Sequence, residues 1–335
     1  MTDYIQRFTA RNYGCLRDVT VELSPLHAFI GPNDSGKSTL LRALRFLVEF
    51  AGDAGVNVRQ SYSLYDELEA DSALELVWRN LVYRAAVDET WLGGTTLVDD
   101  GILSRADTPW PEALAWFRKR ARLLRLDPDS LRAPSALIPK GHALTPQDER
   151  GAGLPGIYDT IVNQNVQGFL AIQEQVRQLF PNVKTIGLEN VSESKKELQI
   201  QLTSGKWIPA RFISEGLLYY LAFAAIPYLH PAAVLLVEEP ENGVHPARIA
   251  EVMRVLREVS KTTQVLIATH SPLVINEMQP DEVTVLTRTP EEGTRATLIK
   301  NTPNFAKRSS VYALGELWLS YANGVDEAPL FREGR

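Results

Sequence analysis

Three short apolar runs stand out along the chain, and each is followed at once by polar chemistry. Leu26–Ile30 runs into Gly31-Pro32-Asn33-Asp34-Ser35-Gly36-Lys37-Ser38-Thr39, Val234–Val237 into Glu238-Glu239, and Gln264–Ala268 into Thr269-His270. Unbroken apolar runs of this length predict strands buried on both faces. Ahead of them, Ile5–Arg11 and Asp18–Leu23 roughly alternate apolar with polar residues around the turn Asn12-Tyr13-Gly14. That is the pattern of half-buried strands. After Lys37 a helical period carries on to about Phe50 and stops at Gly52. Its Arg42 and Arg45 read equally well as phosphate or DNA contacts and as a solvated helix face.

From 51 to 139 the pattern is irregular and predicts mainly helix, best at Tyr65–Tyr83 and Pro111–Leu126. Gly93-Gly94 and Asp99-Asp100-Gly101 read as breaks in it. The segment has the look of an insertion. Within it Arg118, Arg122 and Arg125 would share one helical face, which could meet nucleic-acid phosphates or simply be wet. Gly151–Tyr158 reads as a linker, and Asp159 as the cap of a helix ending before Pro181. That helix is expected to turn Ile161, Val162, Val166, Phe169, Leu170 and Ile172 inward. Strands follow at 183–188, 197–203 and 207–212, the last two joined by Ser204-Gly205. Residues 217–237 are long and apolar enough to imitate a membrane span. Pro227, His230 and Pro231 interrupt them, and two glutamates follow, so a buried helix, a turn and a buried parallel strand are expected instead.

Composition narrows the classes only modestly. The chain has 335 residues, 44% hydrophobic and 23% charged, with a net charge of −6. Nucleic acid could therefore be met only through a local basic patch. Its one cysteine, Cys15, excludes an intrachain disulfide and suits a reducing cytoplasm. Met1-Thr2-Asp3-Tyr4 lacks the basic and apolar regions of a secretory signal.

The chemistry lies at the strand ends. The glycines of 31–39 let successive N–H groups face one concavity, and the following helix adds the positive end of its dipole. Lys37 would reach the β- and γ-phosphates, and the Ser38 hydroxyl would ligate Mg2+. Two adjacent carboxylates at the end of a buried strand suit metal and water chemistry. Burying a charge without a partner costs several kcal/mol, so a purely structural role is a poor account of them. Glu238 takes the metal-holding place, and Glu239 can orient or deprotonate the attacking water. His270, at a strand's carboxyl end, can donate to a γ-phosphate. Ser214 and Gly216 open the long apolar helix and offer a second phosphate-binding end, best used by another subunit's nucleotide.

Taken together, the pieces resemble the ABC-type ATPases of the RecF/SMC/OLD group, closest to the small AAA- or RecF-like ATP-binding proteins. The likeness identifies Gly31–Ser38, with Asn33, Ser35, Gly36 and the adjoining Thr39, as a Walker A loop, and Val234–Glu239 as a Walker B strand. It identifies Ile213-Ser214-Glu215-Gly216 as a shortened signature, Asn242–Pro246 as the D-loop and His270 as the switch histidine. Phe180-Pro181 and Leu314–Trp318 also belong to it. No Q-loop glutamine is evident, with Gln60 and Gln147 as the candidates. Neither coiled-coil arms nor room for a Toprim nuclease domain is seen. The resemblance implies one α/β domain of P-loop NTPase type, a mixed sheet with flanking helices plus an inserted helical and small-sheet lobe. Lobe I would comprise 1–50 and 230–335, and lobe II 51–229. It implies ATP and Mg2+ as cofactors and slow hydrolysis within an ATP-sandwich homodimer or higher oligomer. Glu239, His270 and Lys37 would act in catalysis. DNA repair or antiviral defence in the cytoplasm is the expected setting, without a membrane, and DNA and a separate effector nuclease stay open as partners. A nucleotide-dependent scaffold and a transporter's nucleotide subunit are the competing readings.

Overall fold

The computed structural model describes residues 3–52, 68–78, 81–88, 91–98, 103–104, 115–303, 305–309 and 312–322. Gln60 lies outside them. The chain divides into two units, Met1–Leu123 with Ala232–Glu239 and Ser260–Arg335, and Leu124–Pro231 with Pro240–Val259. The first unit thus runs well past the boundary expected at residue 50.

The first unit opens with β1 (Ile5–Tyr13), β2 (Leu16–Glu22), β3 (Leu26–Ile30) and α1 (Lys37–Gly52), close to the expected bounds. The next stretch departs from expectation. Instead of a helix over Tyr65–Tyr83, the chain forms β4 (Leu68–Trp78) and β5 (Leu81–Asp88), then β6 (Trp91–Val98) and β7 (Leu103–Ser104). Gly93 and Gly94 do not break the chain; they pair with Ala86 and Ala85 inside the β5–β6 ladder. Burial along β4 has period two, with Ser72, Leu74, Leu76 and Trp78 inward. Its helix-forming residues are overridden by pairing with β1. Asp99-Asp100-Gly101 lies outside the described residues. The second expected helix also gives way: after a single turn at 115–117, β8 spans Ala121–Leu124, so Arg118, Arg122 and Arg125 do not form a helical stripe.

In the second unit come β9 (Ser135–Ala136), β10 (Val183–Asn190), β11 (Lys195–Leu202) and β12 (Trp207–Pro209), in one small sheet. Ser204-Gly205 forms the expected hairpin turn, with Gly205 at φ +89°. The last strand stops at Pro209, and a 3-10 turn takes Ala210–Phe212. The helices here are α2 (Pro128–Arg132), α3 (Leu154–Gln164), α4 (Val166–Leu179), α5 (Glu215–Ala225) and α6 (Ile249–Val259). Asp159 sits inside α3, where it pairs with Lys196, and so is no cap. Asn165 breaks the helix and caps α4 by accepting from Gly168 N at 2.9 Å. Two residues expected inward, Val166 and Leu170, are exposed as a result.

The first unit resumes with β13 (Val234–Glu238), β14 (Gln264–Thr269), α7 (Pro272–Asn276), β15 (Val283–Thr289) and β16 (Gly293–Leu298). Two short helices, α8 (Phe305–Arg308) and α9 (Leu314–Ala322), follow. The apolar stretch 217–237 is thus helix, turn and buried strand, and no helix among the described residues is long and apolar enough to cross a membrane. Two six-stranded sheets result, ordered β2-β1-β4-β5-β6-β7 and β16-β15-β3-β14-β13-β8. α1 touches β1 and β4 of one sheet and β13 and β14 of the other. Leu40, Leu44 and Leu47 share a core with Phe8 and Leu76 on one side and Phe29 and Leu266 on the other. The side-chain amide of Gln264 joins the sheets, accepting from Ile5 N and donating to Ile5 O, both at 2.9 Å.

Candidate functional site

In the second sheet β3, β14 and β13 run parallel side by side, so their carboxyl ends share one edge. Such an edge is where open α/β sheets bind ligands. Gly31–Thr39, Glu238-Glu239 and His270 all follow these strands, which brings the three predicted clusters of the first unit together.

The loop 31–36 is shaped by left-handed residues, Asp34 at φ +63° and Gly36 at φ +99°. Gly31 is required sterically, since a Cβ there would lie 2.2 Å from the Leu286 carbonyl oxygen and 2.5 Å from Ser35 Oγ. Lys37 bends back over the loop, its ammonium donating to the carbonyls of Gly31 and Pro32 at 2.8 Å each. Ser38 stands exposed in the first turn of α1, Thr39 is half-buried, and Asn33 is exposed on the loop. Ser35 is 2% exposed, yet its hydroxyl has no hydrogen-bond partner. An orphaned buried hydroxyl in a glycine-bearing loop at a helix N-terminus fits a loop shaped for an anion.

Glu238 closes β13 and is buried, whereas the next residue turns outward. Glu239 has φ +48°, a backbone state that costs a non-glycine residue about 1 kcal/mol or more. Its N–H still donates to Ala268 O at 2.8 Å, fixing the turn against the neighbouring strand. Its carboxylate Oε1 lies 3.7 Å from His270 Nδ1, and the two side chains are 40% and 50% exposed. That separation is too long for a hydrogen bond and leaves both groups open to solvent.

Among the described residues no group of three or more His, Cys, Asp or Glu side chains could hold a metal. Ser38 and Glu238 nevertheless suit Mg2+, which takes few protein ligands and fills its shell with phosphate oxygens and water.

The other predicted phosphate end belongs to the second unit. Ser214 is the N-cap residue of α5 but its side chain makes no capping hydrogen bond, leaving an exposed hydroxyl at a helix N-terminus. Gly216 packs on the 242–246 loop, where an added Cβ would come 3.2 Å from Gly243 O. Gly243, at φ +68°, lies so near the Tyr219 ring that a Cβ would be 2.3 Å from it. Gln147, one Q-loop candidate, is in a loop of the same unit, its backbone N donating to Ala152 O at 2.8 Å.

Two supporting residues take no site role in the sequence reading, though Trp318 lies within the Leu314–Trp318 stretch of the resemblance. The Trp318 indole on α9 donates to His270 O at 3.2 Å, while Gly315 N donates to Asn276 Oδ1 at 2.8 Å and seats α9 on α7. Thr294 on β16 donates its hydroxyl to Ser35 O at 3.0 Å. Thr294 has no local motif, and for both residues only the fold shows the contact with the site.

Comparison with known proteins bears on the family and the fold. The family model described as "AAA domain, putative AbiEii toxin, Type IV TA system" matches residues 26–276. An OLD nuclease of Thermus scotoductus is 38% identical over 55 residues, which is 16% of this chain and 10% of that relative. The SMC head domain from Thermotoga maritima superposes with a TM-score of 0.51 at 16% identity, over 88% of this chain and 99% of that one. An SMC head bound to the C-winged helix domain of ScpA gives 0.59 at 17%, over 88% and 97%. The SMC head with a coiled coil and joint from Pyrococcus yayanosii gives 0.56 at 10%, over 96% and 100%. At these identities the structural likeness is one of fold.

Proposed function

The chain belongs to this AAA-domain family and is an ABC-type ATPase, and on that premise we propose that it binds ATP between two copies of itself and hydrolyses it slowly. The observation that carries this reading is the Glu239–His270 pair, held by a strained turn at the carboxyl edge where the Lys37 loop also ends.

In the proposed reaction the loop N–H groups and the α1 N-terminus cradle the phosphates. Lys37 exchanges two loop carbonyls for phosphate oxygens. Mg2+, held by Ser38 and Glu238, would neutralise charge on the β- and γ-phosphates. Glu239 orients the attacking water and takes its proton, and His270 donates to the γ-phosphate. Ser214 and Gly216 of the partner copy close the site with their helix N-terminus. Catalysis is then mostly positioning and charge neutralisation. ATP acts as the glue of the dimer, and hydrolysis releases it. Similarity to a toxin–antitoxin family and to an OLD nuclease supports a role in defence or genome maintenance, which we extend to action on a separate effector.

Glu239→Gln tests the reading directly. It should abolish turnover while keeping ATP bound, and so accumulate dimer in analytical ultracentrifugation. A variant that stays monomeric at saturating ATP would sink the sandwich. Wild-type dimer without turnover would favour the nucleotide-dependent scaffold, and stimulation by DNA would favour a genome-maintenance role.

A further inference from the structure

The β15–β16 hairpin does more than extend the sheet, for it reaches back to the phosphate loop at two successive carbonyls. Arg288 Nη1 donates to Asp34 O at 3.4 Å, a weak and exposed contact. Thr294 is different: it is 1% exposed, and its hydroxyl donates to Ser35 O at 3.0 Å within a buried bond. Thr294 is itself pinned, its own N–H donating to Cys15 O at 3.1 Å.

The Ser35 carbonyl and the Gly36 N–H belong to one peptide plane. That plane is trans, so the two groups point in opposite directions. A hydrogen bond that holds the carbonyl toward β16 therefore holds the Gly36 N–H away from it. The place is tight as well. A Cβ on Gly36 would lie 2.6 Å from Thr294 Oγ1 and 2.9 Å from Cys15 Sγ, so the loop rests directly on these two side chains.

We infer that Thr294 is a positioning residue for nucleotide: its hydroxyl locks the Ser35–Gly36 peptide with the Gly36 N–H turned into the phosphate concavity. The inference rests on the nucleotide reading above and adds a residue to it. Without the hydroxyl the peptide is free to rotate, and the buried Ser35 carbonyl loses its partner. A peptide rotated by half a turn would present an oxygen to the phosphates where a donor is needed.

The side chain allows a clean test, because Thr294→Val keeps the shape and removes the hydroxyl while Thr294→Ser keeps the hydroxyl. Magnesium-ATP binding is measured by titration calorimetry, melting by calorimetric scan, and KM and kcat by phosphate release. Thr294→Val should weaken ATP about tenfold and raise KM equally, with kcat near wild type, the size of one ordinary hydrogen bond. Thr294→Ser should restore binding to within about threefold. Should the valine variant fail to fold, Thr294→Ala carries the same expectation. Wild-type affinity in Thr294→Val or Thr294→Ala would overturn the inference, as would a loss that serine does not rescue. If the wild-type chain itself bound no ATP, the nucleotide reading would fall first and this inference with it.

Discussion

The two six-stranded sheets of the first unit are built from opposite kinds of strand. In the antiparallel sheet, β2 and β4 show buried and less buried residues in alternation. In the other, β3, β13 and β14 are buried at every position. The alternating strands carry one face of a core, and among the described residues no cluster of site chemistry follows them. The fully buried strands have no free face, so whatever they present to solvent appears where they stop. All three stop in polar groups: the glycine-bearing loop 31–39, the paired glutamates and His270. A sheet shielded on both sides becomes a rigid mount whose edge is its working surface, while its neighbour supplies stability.

That division can be broken from either side. The largest effect is expected from Lys37→Ala on the working edge. Removing the cation proposed to meet the phosphates should weaken ATP at least about a hundredfold in titration calorimetry, while lowering stability less than a core truncation does. Leu76→Ala in β4 should do the reverse. Leu76 is fully buried, and its truncation should cost about 3 kcal/mol in urea unfolding while leaving ATP affinity of the folded protein intact. Loss of ATP binding in Leu76→Ala at low denaturant would show that the two sheets do not divide the work.

The smallest effect concerns His27, which is buried inside β3 with Nδ1 3.0 Å from Ser24 Oγ and Nε2 2.9 Å from Thr284 Oγ1. Burial lowers its pKa to about 3, so it stays neutral in the fold. The unfolded chain takes up a proton below the ordinary histidine value of 6.5, and the fold does not follow until about 3. Stability is therefore full above that ordinary value and declines as pH falls between the two. From pH 7 to pH 5 the loss from this residue should be about 2 kcal/mol. His27→Gln should flatten that part of the profile in urea melts. An equally steep profile in the variant would assign the acid sensitivity elsewhere.

The same contrast decides which elements are legible in sequence. Leu26–Ile30, Val234–Glu238 and Gln264–Thr269 announce themselves locally, because a strand buried on both faces is mostly apolar and the polar residues at its end are conspicuous. β4 does not. Glu69, Ala70, Ala73, Leu74, Glu75 and Leu76 favour helix taken alone, and what makes them strand is β1, paired from Ile5 to Tyr13 across a long stretch of chain. Three arginines at helical spacing mislead in the same way, since β8 lies in the sheet beside β13. Asp159 offers a plausible cap, but the turn of chain before it is already helical from Leu154. The contacts of Thr294 and Trp318 are hidden for a related reason: each meets the site through one hydrogen bond to a backbone oxygen, which leaves no trace in the residues around it, even where Leu314–Trp318 is itself part of the resemblance.

The sheet order also bears on how the protein is made. β1, β2 and β4 find one another within residues 5–78, whereas among the described residues β3 pairs with 265–269 and 283–285. Contacts so distant in sequence form late and slowly. A chain emerging from the ribosome thus carries the 31–39 loop on a strand whose described sheet partners are made only from residue 265 onward. ATP can stabilise the finished protein by mass action, but it has no assembled site to hold in the growing one.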